Sequence, residues 1–108
     1  MRQQFDSVVS AGHPALPGHF PGDAVVPAVV ILDRVGGALR SWDGRFRVTG
    51  IARARFTAVL RPEESFTITL TSDDLARIAF DCRKADGTRF ANGEILATIA
   101  GQGQRHGQ

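Results

Sequence analysis

Apolar positions recur along this chain with two different periods. From Pro27 an apolar run begins with Ala28, Val29, Val30, Ile31 and Leu32. Within it and beyond, Ile31, Val35, Ala38 and Trp42 keep helical spacing. Pro27 suits the first helical position, where its missing N–H would be unbonded anyway. A run this apolar predicts a helix buried on most sides. Gly36-Gly37 inside it costs about 1 kcal/mol per residue relative to alanine. The expected return is close approach by another element.

After Gly44 the period changes to two. Phe46 to about Val59 reads as a long strand, bulged near Gly50. Arg61-Pro62-Glu63-Glu64 reads as a turn. Phe66, Ile68 and Leu70 alternate with Thr67, Thr69 and Thr71, and Ile78, Phe80 and Cys82 alternate with more polar neighbours. Asp86-Gly87 signals a hairpin. A last strand is expected over residues 88–100, with a bulge at Gly93, and a first one over residues 4–10. Between that first strand and the helix lies a loop with four prolines and three glycines. Loops of that length are uncommon in small domains and tend to carry function. The expected class is α+β: a curved antiparallel sheet with a single helix against one face. Residues 1–100 form one domain in this reading, and residues 101–108, without large apolar side chains, form a flexible tail.

Composition narrows the class of function. The chain has 108 residues, 43% of them apolar, enough for one domain with a modest core. One cysteine, Cys82, excludes an intramolecular disulfide and any Cys/His metal spacing. A reducing compartment, the cytoplasm, is the expected home. Nothing near the start reads as a signal peptide. The longest apolar stretch, Ala24 to Leu32, is too short to span a bilayer.

The net charge of +2 hides an asymmetry. Seven arginines lie between Arg34 and Arg61, opposed there by Asp43 alone. Such a stripe points to an acidic partner, or else to Arg stems covering apolar surface. No helix-turn-helix or zinc pattern favours nucleic acid.

The chemistry concentrates in Gly18-His19-Phe20-Pro21-Gly22-Asp23-Ala24-Val25-Val26-Pro27-Ala28 and in Asp33. His19 sits in a Gly/Pro-rich loop. Asp33 lies one to two turns into the helix among Val30, Ile31 and Leu32. An acid in such surroundings is costly unless paired or neutral. An imidazole and a carboxylic acid make a pair suited to proton transfer near pH 7. Val26 cannot cap the helix start through its side chain, which leaves backbone donors with partial positive charge for a ligand. A carbonyl oxygen docked there would be polarised as in an oxyanion hole. The plainer alternative is a loop histidine satisfied by backbone and a helix aspartate near Arg34.

This segment resembles the active-site signature of hot-dog-fold 3-hydroxyacyl-ACP dehydratases. Their pattern runs roughly Gly-His-Phe-x-Gly-x-Pro-x-x-Pro-Gly, with Glu or Asp five residues beyond the last Gly. Asp33 holds that position. Asp in place of Glu looks like the dehydratase/isomerase branch and like the short dehydratases of aryl polyene pathways. The short chain and the run from Trp42 through Arg55-Phe56 favour the latter. The resemblance extends from about Val8 to Ile99.

The resemblance implies a hot-dog fold, the sheet wrapped around one central helix. It makes His19 the base that takes the C2 proton and Asp33 the acid that assists departure of the C3 hydroxyl. The Ala28 N–H becomes the donor to the thioester carbonyl, the Val25 carbonyl orients the imidazole, and Gly22 supplies the tight turn. Phe20 is either loop packing or a substrate contact. His and acid come from different subunits in such dimers, so a homodimer is implied, or a heterodimer with another hot-dog chain. The substrate rides on acyl carrier protein, an acidic partner for Arg45, Arg47, Arg53 and Arg55. No metal and no cofactor are expected, because the carbonyl itself acidifies the C2 proton. Ala24 and Ala28 depart from the family's Pro and Gly. They keep open a hot-dog subunit that binds acyl chains without turnover. A thioesterase on the same fold is a third reading.

Overall fold

The computed structural model describes residues 1–16, 24–74 and 76–99. Chain order is β1 (Arg2–Ser7), α1 (Ala28–Trp42), β2 (Phe46–Phe56), β3 (Phe66–Asp74), β4 (Arg77–Lys84) and β5 (Arg89–Ile99). The five strands form one sheet in the order β1-β3-β4-β5-β2, each neighbouring pair antiparallel. The helix lies across one face and touches β1, β2 and β3. This is the α+β arrangement that the two hydrophobic periods predict.

The periods sort residues to the two sides of the sheet. Ile68, Leu70, Ile78, Phe80, Cys82, Ile95 and Ala97 point to the helix side and are 0–3% exposed. Val30, Ile31, Val35, Ala38 and Leu39 meet them from α1. Phe66 and Phe90 pack edge to face with ring centroids 5.4 Å apart. Truncating a buried Leu such as Leu39 in a core of this kind costs about 2–5 kcal/mol.

Ladder partners set the strand ends. β1 begins earlier than residue 4 and stops at Ser7, because Ser7 pairs with Phe66, where β3 begins. β2 stops at Phe56 rather than near Val59, its last registered pair being Phe56 with Ala91. The expected bulge near Gly50 is present as a register shift between Val48 and Gly50. A second shift, between Ile51 and Arg53, had no signal in the sequence.

Gly93 is not a bulge. It pairs in register with Ala54 and Phe80, and a Cβ there would overlap the Arg53 carbonyl oxygen and press on Ala54 Cα at 2.9 Å. The glycine lets the β2 backbone pass close by. Gly87, with φ of +89°, is the turn glycine the Asp86-Gly87 pair predicts.

Three expectations for the helix fail. Pro27 is the N-cap, at φ −65° and ψ 151°, and not the first helical residue. The helix is not buried on most sides within one chain: Val29 is 69% exposed, and Ala28, Asp33, Arg40 and Ser41 are exposed with it. Among the described residues, no other element comes within 4 Å of where a Cβ of Gly36 or Gly37 would stand. Beyond the helix's own backbone, the space above the pair holds the Arg40 guanidinium, 3.5 Å from where a Gly36 Cβ would stand.

Candidate active site

The helix start is built by backbone. Val30 and Ile31 N–H both donate to the Pro27 carbonyl, at 3.0 and 3.3 Å. Among the described residues no side chain caps this end, and the first turn holds no acid. Ala28 is the first helical residue and is exposed, so its N–H sits where the dipole's positive end is presented. Val25, half-buried, precedes it. Val26 anchors the approach, buried at 6% exposure, with its N–H donating to the Leu60 carbonyl at 2.8 Å.

Asp33 is exposed, a correction to the apolar surroundings its neighbours imply. On α1 the buried stripe runs through Val30, Ile31 and Val35, and Asp33 falls beside it on the stripe with Val29 and Gly37. It lines a groove of about 320 Å³ between α1 and β1, together with Gly37 and Ser41 from the helix and Asp6 and Ser7 from the strand. That is near the lower end of small-molecule pockets, about 300–1,000 Å³. His19, Phe20 and Gly22 lie outside the described residues, as does the tail from residue 101. Among the described residues, no group of three or more His, Cys, Asp and Glu side chains could hold a metal ion.

The four arginines named for a partner divide. The Arg45 guanidinium is engaged by Asp43 through two contacts, at 3.1 and 2.8 Å, and these, followed by the Arg45 backbone N–H at 3.0 Å, hold the Asp43 carboxyl down at about 2. Arg47, Arg53 and Arg55 pair across from Thr98, Glu94 and Asn92, on the face away from the helix. The two register shifts put them there: Val48, Ile51, Ala54 and Phe56 take the helix side opposite Ala97, Ile95, Gly93 and Ala91. The acid across from Arg53, Glu94, is bound to Arg77 at 2.9 Å, and Asp81 is bound to Arg83 and Arg89. Among the described residues, then, Arg47, Arg53 and Arg55 form a cationic strip on the outer face of an edge strand.

The sequence also hides a frame. The turn Leu60–Glu64 reads only as a connection, yet it holds both ends of the loop that leads to the helix. Its partners are distant along the chain, so no local spacing marks them.

The fold and this helix-start arrangement define a hot-dog domain, and solved structures agree on the architecture. The chain is similar to the dehydratase heterocomplex ApeI:P from Xenorhabdus doucetiae (TM-score 0.76, 16% identity, 89% of this chain and 86% of that one). It is also similar to the R-hydratase PhaJ1 from Pseudomonas aeruginosa (TM-score 0.72, 10% identity, 93% of this chain and 80% of that one). The family model for ApeI-like proteins, described as ApeI dehydratase, matches residues 2–94. The chain belongs to the ApeI-like dehydratase family. By sequence it is 30% identical over 98 residues to the 3-hydroxyacyl-[acyl-carrier-protein] dehydratase FabZ of Thermoanaerobacter sp. (strain X514), covering 83% of this chain and 67% of the relative. It thus spans about two thirds of that relative's length. Among the described residues no helix is long and apolar enough to cross a membrane.

Proposed function

We propose that this protein removes water from a 3-hydroxyacyl thioester carried on acyl carrier protein, giving the trans-2-enoyl thioester. The observation that carries the reading is the start of α1. A helix end with no side-chain cap, at Ala28, lies five residues before an exposed carboxyl, Asp33. In this reading the Ala28 N–H donates to the thioester carbonyl and draws charge toward it as the C2 proton leaves. His19 takes that proton. Asp33 gives its proton to the C3 hydroxyl, which departs as water as the C2–C3 double bond forms. The Val25 carbonyl orients the imidazole, Gly22 shapes the loop, and Phe20 borders the substrate.

Exposure of Asp33 in a single chain supports a site completed by a second one. Asp33 of one protomer then meets His19 of its partner, in a homodimer or with another hot-dog subunit. The acidic carrier protein docks on Arg47, Arg53 and Arg55, with Arg45 contributing less because Asp43 holds it. The protein works in the cytoplasm, with no metal and no cofactor. Residues 1–100 act as one domain.

Turnover of carrier-bound 3-hydroxyacyl substrate tests the reading. Enoyl product is the expected result. No change would favour a subunit that only binds acyl chains, and free thiol would favour a thioesterase. His19→Ala and Asp33→Ala should each abolish dehydration while leaving the assembly intact, and full activity in either variant would sink the assignment.

A further inference from the structure

Residues 60–64, the turn that carries the chain away from β2, grip two stretches far away in sequence. On one side the Glu63 N–H donates to the Val9 carbonyl at 2.8 Å, and the Ala11 N–H donates to Glu63 Oε2 at 2.7 Å. On the other side the Val26 N–H donates to the Leu60 carbonyl at 2.8 Å, and Arg61 Nη1 donates to the Ala24 carbonyl at 3.4 Å. The turn is closed on itself by the Arg61 N–H on Glu64 Oε1 at 2.7 Å and the Glu64 N–H on the Arg61 carbonyl at 3.3 Å. Val9, Val26 and Leu60 are all buried beneath it. One short turn therefore fixes both limbs of the excursion between β1 and α1, the excursion whose sequence includes His19.

Glu63 is the joint. Its φ of 69° is a left-handed backbone that glycine adopts freely and a residue with a Cβ adopts at a cost. Such conformations persist where surrounding contacts over-determine them. Here both the main chain and the side chain of Glu63 bind the first limb. A glycine would relieve the backbone and keep the N–H bond to Val9. It would lack only the carboxylate on Ala11.

We infer that Glu63 is a positioning residue, which through the Ala11 N–H and the turn holds the two limbs, residues 9–11 and 24–26, in their working places. The inference rests on the proposed dehydration for its catalytic consequence. The geometry itself does not depend on that reading.

The test compares Glu63→Gly, Glu63→Ala, Glu63→Gln and the unchanged protein, by thermal melting, steady-state dehydration and amide hydrogen exchange. Glu63→Gly should fold and melt no lower than Glu63→Ala, since it sheds the backbone cost. Its kcat should nevertheless fall by about 10- to 100-fold, because small misplacements of reacting groups are costly, while KM moves by less than about twofold. Glu63→Gln keeps an amide oxygen for Ala11 and should retain at least about half of kcat, as a role in positioning requires. A Glu63→Gly variant with undiminished kcat, or a Glu63→Gln variant as slow as Glu63→Gly, would overturn the inference. If the unchanged protein does not dehydrate, the functional reading falls and exchange alone decides. Faster exchange in Glu63→Gly at Ala11 and also at residues 24–26 supports coupling of the two limbs through the turn. Unchanged exchange at residues 24–26 refutes it.

Discussion

Strands β4 and β2 obey the same alternation and end in opposite circumstances. On β4 the helix-side residues Ile78, Phe80 and Cys82 are 0–2% exposed, closed in by flanking strands and the core. On β2 the corresponding residues Val48, Ile51 and Phe56 remain 37–49% exposed. β4 sits inside the sheet, and β2 is its last strand, with an unpaired edge. Val29, the most exposed of the helix's large apolar side chains, adds to the uncovered surface. Apolar patterning of equal quality thus describes a finished interior in one place and an unfinished one in the other. An edge strand with apolar side chains is a liability unless something covers it. The proposed second subunit is such a cover, and the outer-face arginines of the same strand stay available to a different, acidic partner.

The sharpest way to break this contrast is to truncate on the finished side. Phe80→Ala removes a ring that is 2% exposed between two paired strands. It should cost about 3–5 kcal/mol of unfolding free energy in denaturant titration. A loss below about 1 kcal/mol would mean that the centre of the sheet is no better packed than its edge.

The junction of the two regions comes next. Gly93→Ala on β5 places a methyl against the Arg53 carbonyl of β2, which is backbone and cannot step aside alone. Overpacking of this kind costs about 1–3 kcal/mol. Gly50→Ala, by contrast, meets only Leu96 Cδ1 at 3.7 Å and should be tolerated. Equal melting shifts for the two would show that β2 does not approach β5 as closely as described.

The buried cysteine gives a smaller, pH-dependent effect. Burial, followed by the neighbouring Asp81 charge, pushes the Cys82 thiol from 9.0 up to about 12. The unfolded chain therefore loses this proton first as pH rises. Stability is fully present below about pH 9 and falls between pH 9 and 12, with a slope of up to about 1.4 kcal/mol per pH unit from this one group. The chain has no tyrosine and a single lysine, so few other groups blur that window. Denaturant midpoints should fall more steeply for the unchanged protein than for Cys82→Ala across pH 8–11, narrowing the gap between them, and parallel curves would contradict the burial. The thiol should also resist alkylation until the chain unfolds.

What the sequence discloses follows the same divide. Periods of two and of three to four residues mark β3, β4, β5 and α1 because each buries a regular face within the chain. The bulge at Gly50 is legible, since a glycine interrupts a strand pattern there. The shift after Ile51 is not, because Ala52 and Arg53 carry no turn chemistry. Gly93 reads as a bulge because sequence cannot distinguish a glycine that bends its own strand from one that admits a neighbour. Asp33 reads as enclosed because its neighbours are apolar, yet neighbours in a helix point in different directions and this one points outward. The candidate site is legible as a motif, from His19 to Asp33, but its frame at Leu60–Glu64 is not, since hydrogen bonds between residues 34 to 54 positions apart leave no local trace.

The smallest effect on the chain is also the one that tests whether β2 is an interface. Ile51→Thr keeps a β-branched side chain suited to a strand and removes apolar surface that is already half exposed. Within a single chain the change should shift stability by no more than about 0.5 kcal/mol. If a second subunit covers this face, the same change removes buried contact on both sides of a two-fold axis, so its effect is counted twice in the assembly. Sedimentation over a dilution series should then show the dimer dissociating at higher protein concentration, about tenfold for each 1.4 kcal/mol of lost association energy. The outer-face variant Arg53→Gln is the control: it lies on the same strand but on the other side of the sheet, and it should weaken binding of an acidic carrier protein more than it weakens the dimer. A reversal of those two outcomes would place the carrier on the apolar side and the second subunit on the arginines, and the division of labour between the two faces of β2 would have to be redrawn.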